Sequence, residues 1–345
     1  MNNTDKQIYY RLIALWAVCE GVLGGIIHGF NLPISGIIVG GSAVIIISLI
    51  GFYIPQKGAI LKATILVCIF KMMLSPHSPL PAYVAVFFQG ITGEFFFLLL
   101  PSLLKVNPVK LFKVSCILFA TLALVESGVQ RIITLTLIYG KDFWVAVDAF
   151  MSGITGEDTI TRYSYYIAGG YVLLHFIAGI IIGWVAGRIP ERIMEWKKDF
   201  QFILFSGEQE NIHDRVVGED TNHGQYRKWK ASFFIIWIIL IVLFLQSAFN
   251  IGKPLVTEGT ILNIIVRSVL ILFTWYFLLS PLLIYFLKKM LTKQQGKSQS
   301  TVNEILLLIP STQNLVKKSW QLSTDRKGLK RLNKFMKIVL VNALD

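Results

Sequence analysis

Eight apolar runs, each near the length that crosses a bilayer, govern what this chain can fold into. They lie at 12–29, 36–54, 58–74, 82–104, 111–138, 166–188, 232–249 and 261–287. A hydrocarbon core about 30 Å thick needs roughly 20 apolar residues in a helix. Lipid offers no partner to a backbone N–H or C=O, so such spans must bond internally, as helices do. Hydrophobic residues make up 54% of the 345 residues and charged residues only 15%; mean hydropathy is +0.62. The expectation is an all-α polytopic membrane protein, a six-helix bundle plus two further transmembrane helices. The first run lacks a small-residue cleavage site and more spans follow it, so a retained span is expected rather than a signal peptide.

Charge sets the expected orientation. Lys57, Lys105 and Lys110 fall in alternate loops, with Lys113 just inside the fifth run. Arg188, Arg192, Lys197, Lys198, Arg215, Arg227, Lys228 and Lys230 follow the sixth run, and a tail rich in Lys and Arg follows the eighth. The opposite loops, 29–35, 75–81, 139–165 and 250–260, hold few positive charges. The positive-inside rule then places both termini in the cytoplasm of a multi-pass protein of the bacterial inner membrane. The net charge of +13 is mostly this bias. No nucleic-acid recognition motif accompanies it, so a nucleic-acid partner is not expected. Four regions are expected: a six-span membrane domain at 1–195, a cytoplasmic linker at 196–231, a two-span extension at 232–287 and a basic amphipathic tail at 288–345.

Several chemistries are absent from the pattern. Cys19, Cys68 and Cys116 fall inside spans and form no CxxC pair. The five histidines show no metal spacing, so neither a metal nor a cofactor is expected. Gly296-Lys297-Ser298 resembles the end of a phosphate-binding loop, but Leu291 stands where that loop needs glycine. There is no paired DxxxD, no GxSxG and no EExxxR of intramembrane-protease type. The chain is therefore not read as an enzyme or as an ATPase.

The polar groups inside the apolar runs carry the functional expectation. The first run, LIALWAVCEGVLGGIIHG, holds Glu20 near mid-depth and His28 near one end. Ala17, Gly21, Gly25 and Gly29 recur every fourth residue and so form one helix stripe. Small-xxx-small stripes let another backbone approach closely. The third and fourth runs are joined by SPHSPLP, a stiff loop centred on His77. Gln89 and Glu94 are expected to enter the membrane from the outer side just beyond it. Glu126 and Gln130 share a face of the fifth run, Arg131 sits one step round, and His175 lies at similar depth in the sixth. The long loop Tyr139 to Tyr165 carries Asp142, Trp144, Asp148, Glu157, Asp158 and Tyr163 and reads as a lid without structure of its own. The pentapeptide GITGE occurs at Gly90–Glu94 and again at Gly153–Glu157, both expected on the outer half. Glu20, Glu94, Glu126 and His175 are expected to gather into a net-negative pocket. Intramembrane ionisable groups are costly and face cavities or partners. A flat cationic ligand would suit such acids and aromatics.

Residues 12–188 resemble the substrate-binding S components of energy-coupling factor transporters. The resemblance rests on six spans with both ends inside, the small-residue-rich first span, LPISGIIVGG opening the second, and KMMLSPHSPLPAYVAVFFQG joining the third and fourth. It implies capture of a vitamin or related micronutrient from outside. It also implies docking through the first helix onto a transmembrane coupling subunit that joins two ATPases. Ala17, Gly21 and Gly25 would then form the docking face. Glu20, His28, His77, Gln89, Glu94, Glu126, Gln130, Trp144, Glu157 and His175 would line the substrate site. Such proteins end after the sixth span, whereas this chain continues. Its tail places Leu329, Leu332, Phe335, Met336 and Val339 on an apolar face with Lys330, Arg331, Lys334 and Lys337 between, fit for anionic lipid or a cytoplasmic partner. The competing expectation is a membrane sensor or assembly protein, or an intramembrane enzyme of unknown chemistry.

Overall fold

The computed structural model describes residues 2–29, 34–75, 78, 80–103, 107–156, 162–200 and 299–344, with isolated positions 269, 270, 273, 274, 281, 282 and 285. The linker from 201 and the extension at 232–287, those isolated positions apart, lie outside the described residues. Every regular element described is helical. Helix α1 spans Asn3–Val18 and runs on through a π-helical segment, Cys19–Leu23, into α2, Gly24–Gly29. Then come α3 (Ser35–Tyr53), α4 (Ala59–Leu74), α5 (Leu80–Glu94), a second π-segment (Phe95–Leu99) and α6 (Leu100–Leu103). The chain continues with α7 (Pro108–Tyr139), α8 (Lys141–Thr155), α9 (Tyr163–Ala186) and α10 (Ile189–Phe200). The last two helices, α11 (Gln299–Leu322) and α12 (Gly328–Ala343), form a hairpin.

Four of these helices are long and apolar enough to cross a membrane: Ser35–Tyr53, Pro81–Leu103, Pro108–Tyr139 and Tyr163–Ala186. Their outward faces carry Val84, Phe87 and Ile91 on α5, Leu118, Leu122 and Ile133 on α7, and Leu173, Ile177 and Ile181 on α9, all exposed. An apolar band that broad is untenable in water but matches lipid. The molecule is a helical membrane protein. The 16 residues of α4 extend only about 24 Å, short of a full span, and α7 at 32 residues exceeds one.

Packing corrects the expectation for the first helix. From Tyr9 to Val18, residues on every side of α1 are buried; Leu12, Ile13, Ala14, Trp16 and Ala17 have no exposure at all. A helix apolar all round belongs in a core, and α1 is ringed by α3, α4, α11 and α12. Ala17 is thus enclosed. A Cβ on Gly21 would stand 2.9 Å from Leu74 Cβ, so α4 already occupies that side; Gly25 is exposed. The proposed docking face is in large part filled by the chain itself.

The tight helix pair lies elsewhere. Gly179, Gly183 and Gly187 face the backbone of α7. A Cβ on Gly179 would lie 2.5 Å from Thr121 Cα, and on Gly183 2.6 Å from Ile117 Cα and from the Cys116 carbonyl. Only glycine allows this approach, and the two helices run antiparallel in contact along most of their length.

Nor is the tail free. Lys6 Nζ and Glu304 Oε2 are 2.9 Å apart, and Tyr10 donates to Thr301 Oγ1 at 3.3 Å, which fixes α11 beside α1. Ile338 to Ala343 are buried. Asn342 Nδ2 donates to the Phe200 carbonyl at 2.9 Å, which docks α12 on α10. Of the apolar face expected to lie on lipid or a partner, Val339 is buried and Phe335 and Met336 are half-buried against the chain's own helices, while Leu329 and Leu332 stay exposed.

Candidate functional site

The expected acidic cluster separates into three different roles. Glu94 ends α5 beside the Gly58 turn, where φ of +84° begins α4. Its carboxylate accepts from the Gly58 backbone N–H, from Ile60 N at 3.1 Å and from Leu61 N at 3.3 Å. Those are orphan donors of a helix N-terminus, where negative charge is also favoured by the dipole. Glu94 therefore sits at the Gly58 end of the bundle, opposite the Pro81 end where α5 begins. The first GITGE copy packs there, with Gly93 against Ile47. Gly153 of the second copy, on α8, meets nothing within 4 Å. The two copies do not form a paired site.

Glu20 has a partner that the sequence reading overlooked. Its Oε2 lies 2.7 Å from Lys71 Nζ, with 4% and 3% of the side chains exposed. Lys71 also reaches the Ala82 carbonyl at 3.4 Å and stands 5.8 Å from the Tyr83 ring. The π-helical segment begins one residue before Glu20, and such insertions recur at functional sites. Gln130 Nε2 donates to the neighbouring Pro81 carbonyl at 2.8 Å. Both bonds tie the start of α5 to its neighbours.

Trp144 and Asp148 brace the Pro81 end. The stretch expected to be an unstructured lid contains α8, bounded by Gly140 (φ +76°) and Gly156 (φ +67°). Trp144 Nε1 donates to Thr136 Oγ1 at 2.9 Å, fastening α8 to the end of α7. Tyr139 stacks on Phe143 at 5.7 Å between ring centroids. Asp148 accepts from Ser164 N at 2.6 Å and from its hydroxyl at 3.1 Å, closing the start of α9. Arg131 is exposed. His77 and Glu157 lie outside the described residues, as does the side chain of His28.

What remains is a polar set in the bundle interior between α3, α5, α7 and α9. Gln89 Oε1, Thr121 Oγ1, Glu126 Oε2 and His175 Nε2 are buried side-chain atoms with no hydrogen-bond partner. Their placement follows from the glycines of α3. A Cβ on Gly36 would collide with Ser127 Oγ and lie 3.6 Å from His175 Nε2. On Gly40, one turn or about 6 Å along, it would lie 3.0 Å from Leu124 and 3.4 Å from Gln89 Nε2. Glu126 is on α7 between those two contacts, and Thr121 is where Gly179 meets α7, one turn beyond His175. The imidazole, wholly buried, rests on Gly128.

Its tautomer is dictated by its neighbour. His175 Nδ1 is 2.9 Å from the Tyr171 carbonyl, which can only accept, so Nδ1 carries the hydrogen. In the neutral ring Nε2 is then an acceptor. Gln89 Oε1 is an acceptor too; a Glu126 oxygen accepts when the carboxyl is ionised, and the Thr121 hydroxyl can do either. Each unmet buried group costs about 1–3 kcal/mol. Gln89 and His175 border the glycine face of α3, and unmet acceptors so placed match a ligand that presents N–H groups. Among the described residues no group of three His, Cys, Asp or Glu could hold a metal ion. The fold and this interior site define a helical membrane protein with an acceptor-rich polar centre. No protein-family model, no curated protein and no solved structure matches the chain.

Proposed function

We propose that the chain is the solute-capture subunit of an ATP-driven micronutrient importer in the bacterial inner membrane, entered from the Pro81 end. It performs no chemistry itself and takes its energy from a separate coupling subunit and ATPases. The observation that carries this reading is the trio of buried acceptors without partners: Gln89 Oε1, Glu126 Oε2 and His175 Nε2. A ligand that donates N–H bonds, such as a small cationic aromatic vitamin or precursor, would satisfy them together. Of the residues first assigned to substrate, Gln89, Glu126 and His175 keep that role. Glu20, Glu94, Gln130 and Trp144 hold the walls. Because α1 is enclosed, a coupling subunit would meet a different face of the molecule.

The test is a thermal-shift screen of water-soluble vitamins and their precursors against the purified protein, cationic aromatics included, repeated on Glu126→Gln. A stabilising compound whose effect falls in the variant supports the reading. No shift from any compound, or one indifferent to Glu126, removes its basis.

A further inference from the structure

The hairpin of α11 and α12 carries a separate concentration of charge. Arg326, Lys330, Asn333, Lys334 and Lys337 line a pocket of about 320 Å³ with Phe200 of α10 as its apolar wall. Lys330, Lys334 and Lys337 are spaced i, i+4, i+7 and so form one stripe of α12; Arg326 joins them from the turn before Gly328. Asp325 is the acid among them, its Oδ1 2.8 Å from Lys334 Nζ and its Oδ2 3.5 Å from Arg326 Nε. The hydrogen bond from Lys334 holds the Asp325 carboxyl below its ordinary range. Four cations less one carboxylate leave three positive charges around the pocket. Lys337 is further positioned by two rings, 5.3 Å from Trp196 and 5.8 Å from Phe200.

Like charges one turn apart weaken a helix. Here the helix is held by its C-terminal half, where Ile338 to Ala343 are buried and Asn342 bonds to Phe200. Lys334 and Lys337 are half-buried along the pocket, and Arg326 and Lys330 reach it from the exposed side. A single small anion matches neither the volume nor the charge.

We propose that this pocket binds a ligand bearing more than one phosphate charge, with Lys330, Lys334, Lys337 and Arg326 as charge partners and the Asn333 amide as neutral donor. Charge-assisted bonds to phosphate oxygens are the strong kind, and basic pockets of membrane proteins take anionic headgroups. The same chemistry fits a soluble diphosphate and a cluster of anionic lipid headgroups. This site is independent of the interior acceptors around His175.

Full-length protein in detergent separates the sources. Sodium pyrophosphate is titrated calorimetrically in one arm. In the other, native mass spectrometry counts phosphatidylglycerol retained from a mixture with phosphatidylcholine. Binding in either arm, weakened by added salt and at least about tenfold by Lys330→Gln/Lys337→Gln, with Lys330→Arg/Lys337→Arg retaining it, supports the site and assigns its source. Lys330 is exposed, so Lys330→Gln alone serves if the double variant unfolds. No binding in either arm, or variants that bind as the parent does, overturns the proposal.

Discussion

Gly183 and Gly170 lie on the same helix, and the structure assigns opposite signs to the same substitution at the two. At Gly170 a Cβ meets nothing within 4 Å. Gly170→Ala should therefore gain only helix propensity, up to about 1 kcal/mol. At Gly183 the new methyl would lie 2.6 Å from Ile117 Cα and the Cys116 carbonyl and 3.0 Å from Ala120 Cβ. Ordinary contact begins near 3.5 Å, so α9 must retreat by about 1 Å. The nearest obstacles are backbone and cannot rotate aside. Overpacking of this kind costs about 1–3 kcal/mol, enough to outweigh the propensity gain. The two variants should thus differ by about 2–4 kcal/mol. Thermal unfolding in detergent followed by circular dichroism measures the ordering directly. If Gly183→Ala is as stable as Gly170→Ala, α9 does not approach α7 as described, and the placement of His175 loses its basis.

Lys71→Met should destabilise by about 3–5 kcal/mol because it leaves the Glu20 charge buried alone. Adding Glu20→Gln should restore most of that loss; a double variant as unstable as the single would show that the pair is not coupled. Glu94→Ala should cost about 1–2 kcal/mol through the start of α4 while leaving small-molecule binding intact, and a selective loss of binding with unchanged stability would return Glu94 to the site. Trp144→Phe removes the bond to Thr136 and part of the ring set edge-on against Phe143, and should cost at least about 1 kcal/mol; chemical denaturation reads this, and a neutral variant would detach α8 from its role as a brace.

The long apolar runs were legible because length and hydropathy are local properties. The expected spans 36–54, 82–104, 111–138 and 166–188 correspond to Ser35–Tyr53, Pro81–Leu103, Pro108–Tyr139 and Tyr163–Ala186. The partners of buried charges were not legible. Lys71 is 51 residues from Glu20 and Gly58 is 36 from Glu94, and nothing local states that either would be met. A lysine this deep inside an apolar run was nonetheless a visible sign that an acid must lie nearby. Helix α8 was also readable: Gly140 and Gly156 bracket it, and glycine punctuation marks helix ends. The carboxylates and tyrosines of the stretch Tyr139 to Tyr165 instead suggested a lid without structure of its own. Two small-residue stripes were present, and both obey the same spacing. Ala17, Gly21 and Gly25 drew attention because Glu20 lay among them, whereas Gly179, Gly183 and Gly187 support the closest backbone approach. The amphipathic pattern of α12 was visible, but periodicity shows only that a face is apolar and not what covers it.

Mass spectrometry of small molecules retained after mild purification tests the central claim most directly, with the parent protein and Gln89→Leu/His175→Phe compared side by side. The account predicts an N–H-bearing compound in near-stoichiometric amount on the parent and its loss from a variant that still folds. The same compound retained equally by the variant would contradict it. So would a variant more stable than the parent when neither holds any compound, since the acceptors would then be only a cost to the bundle.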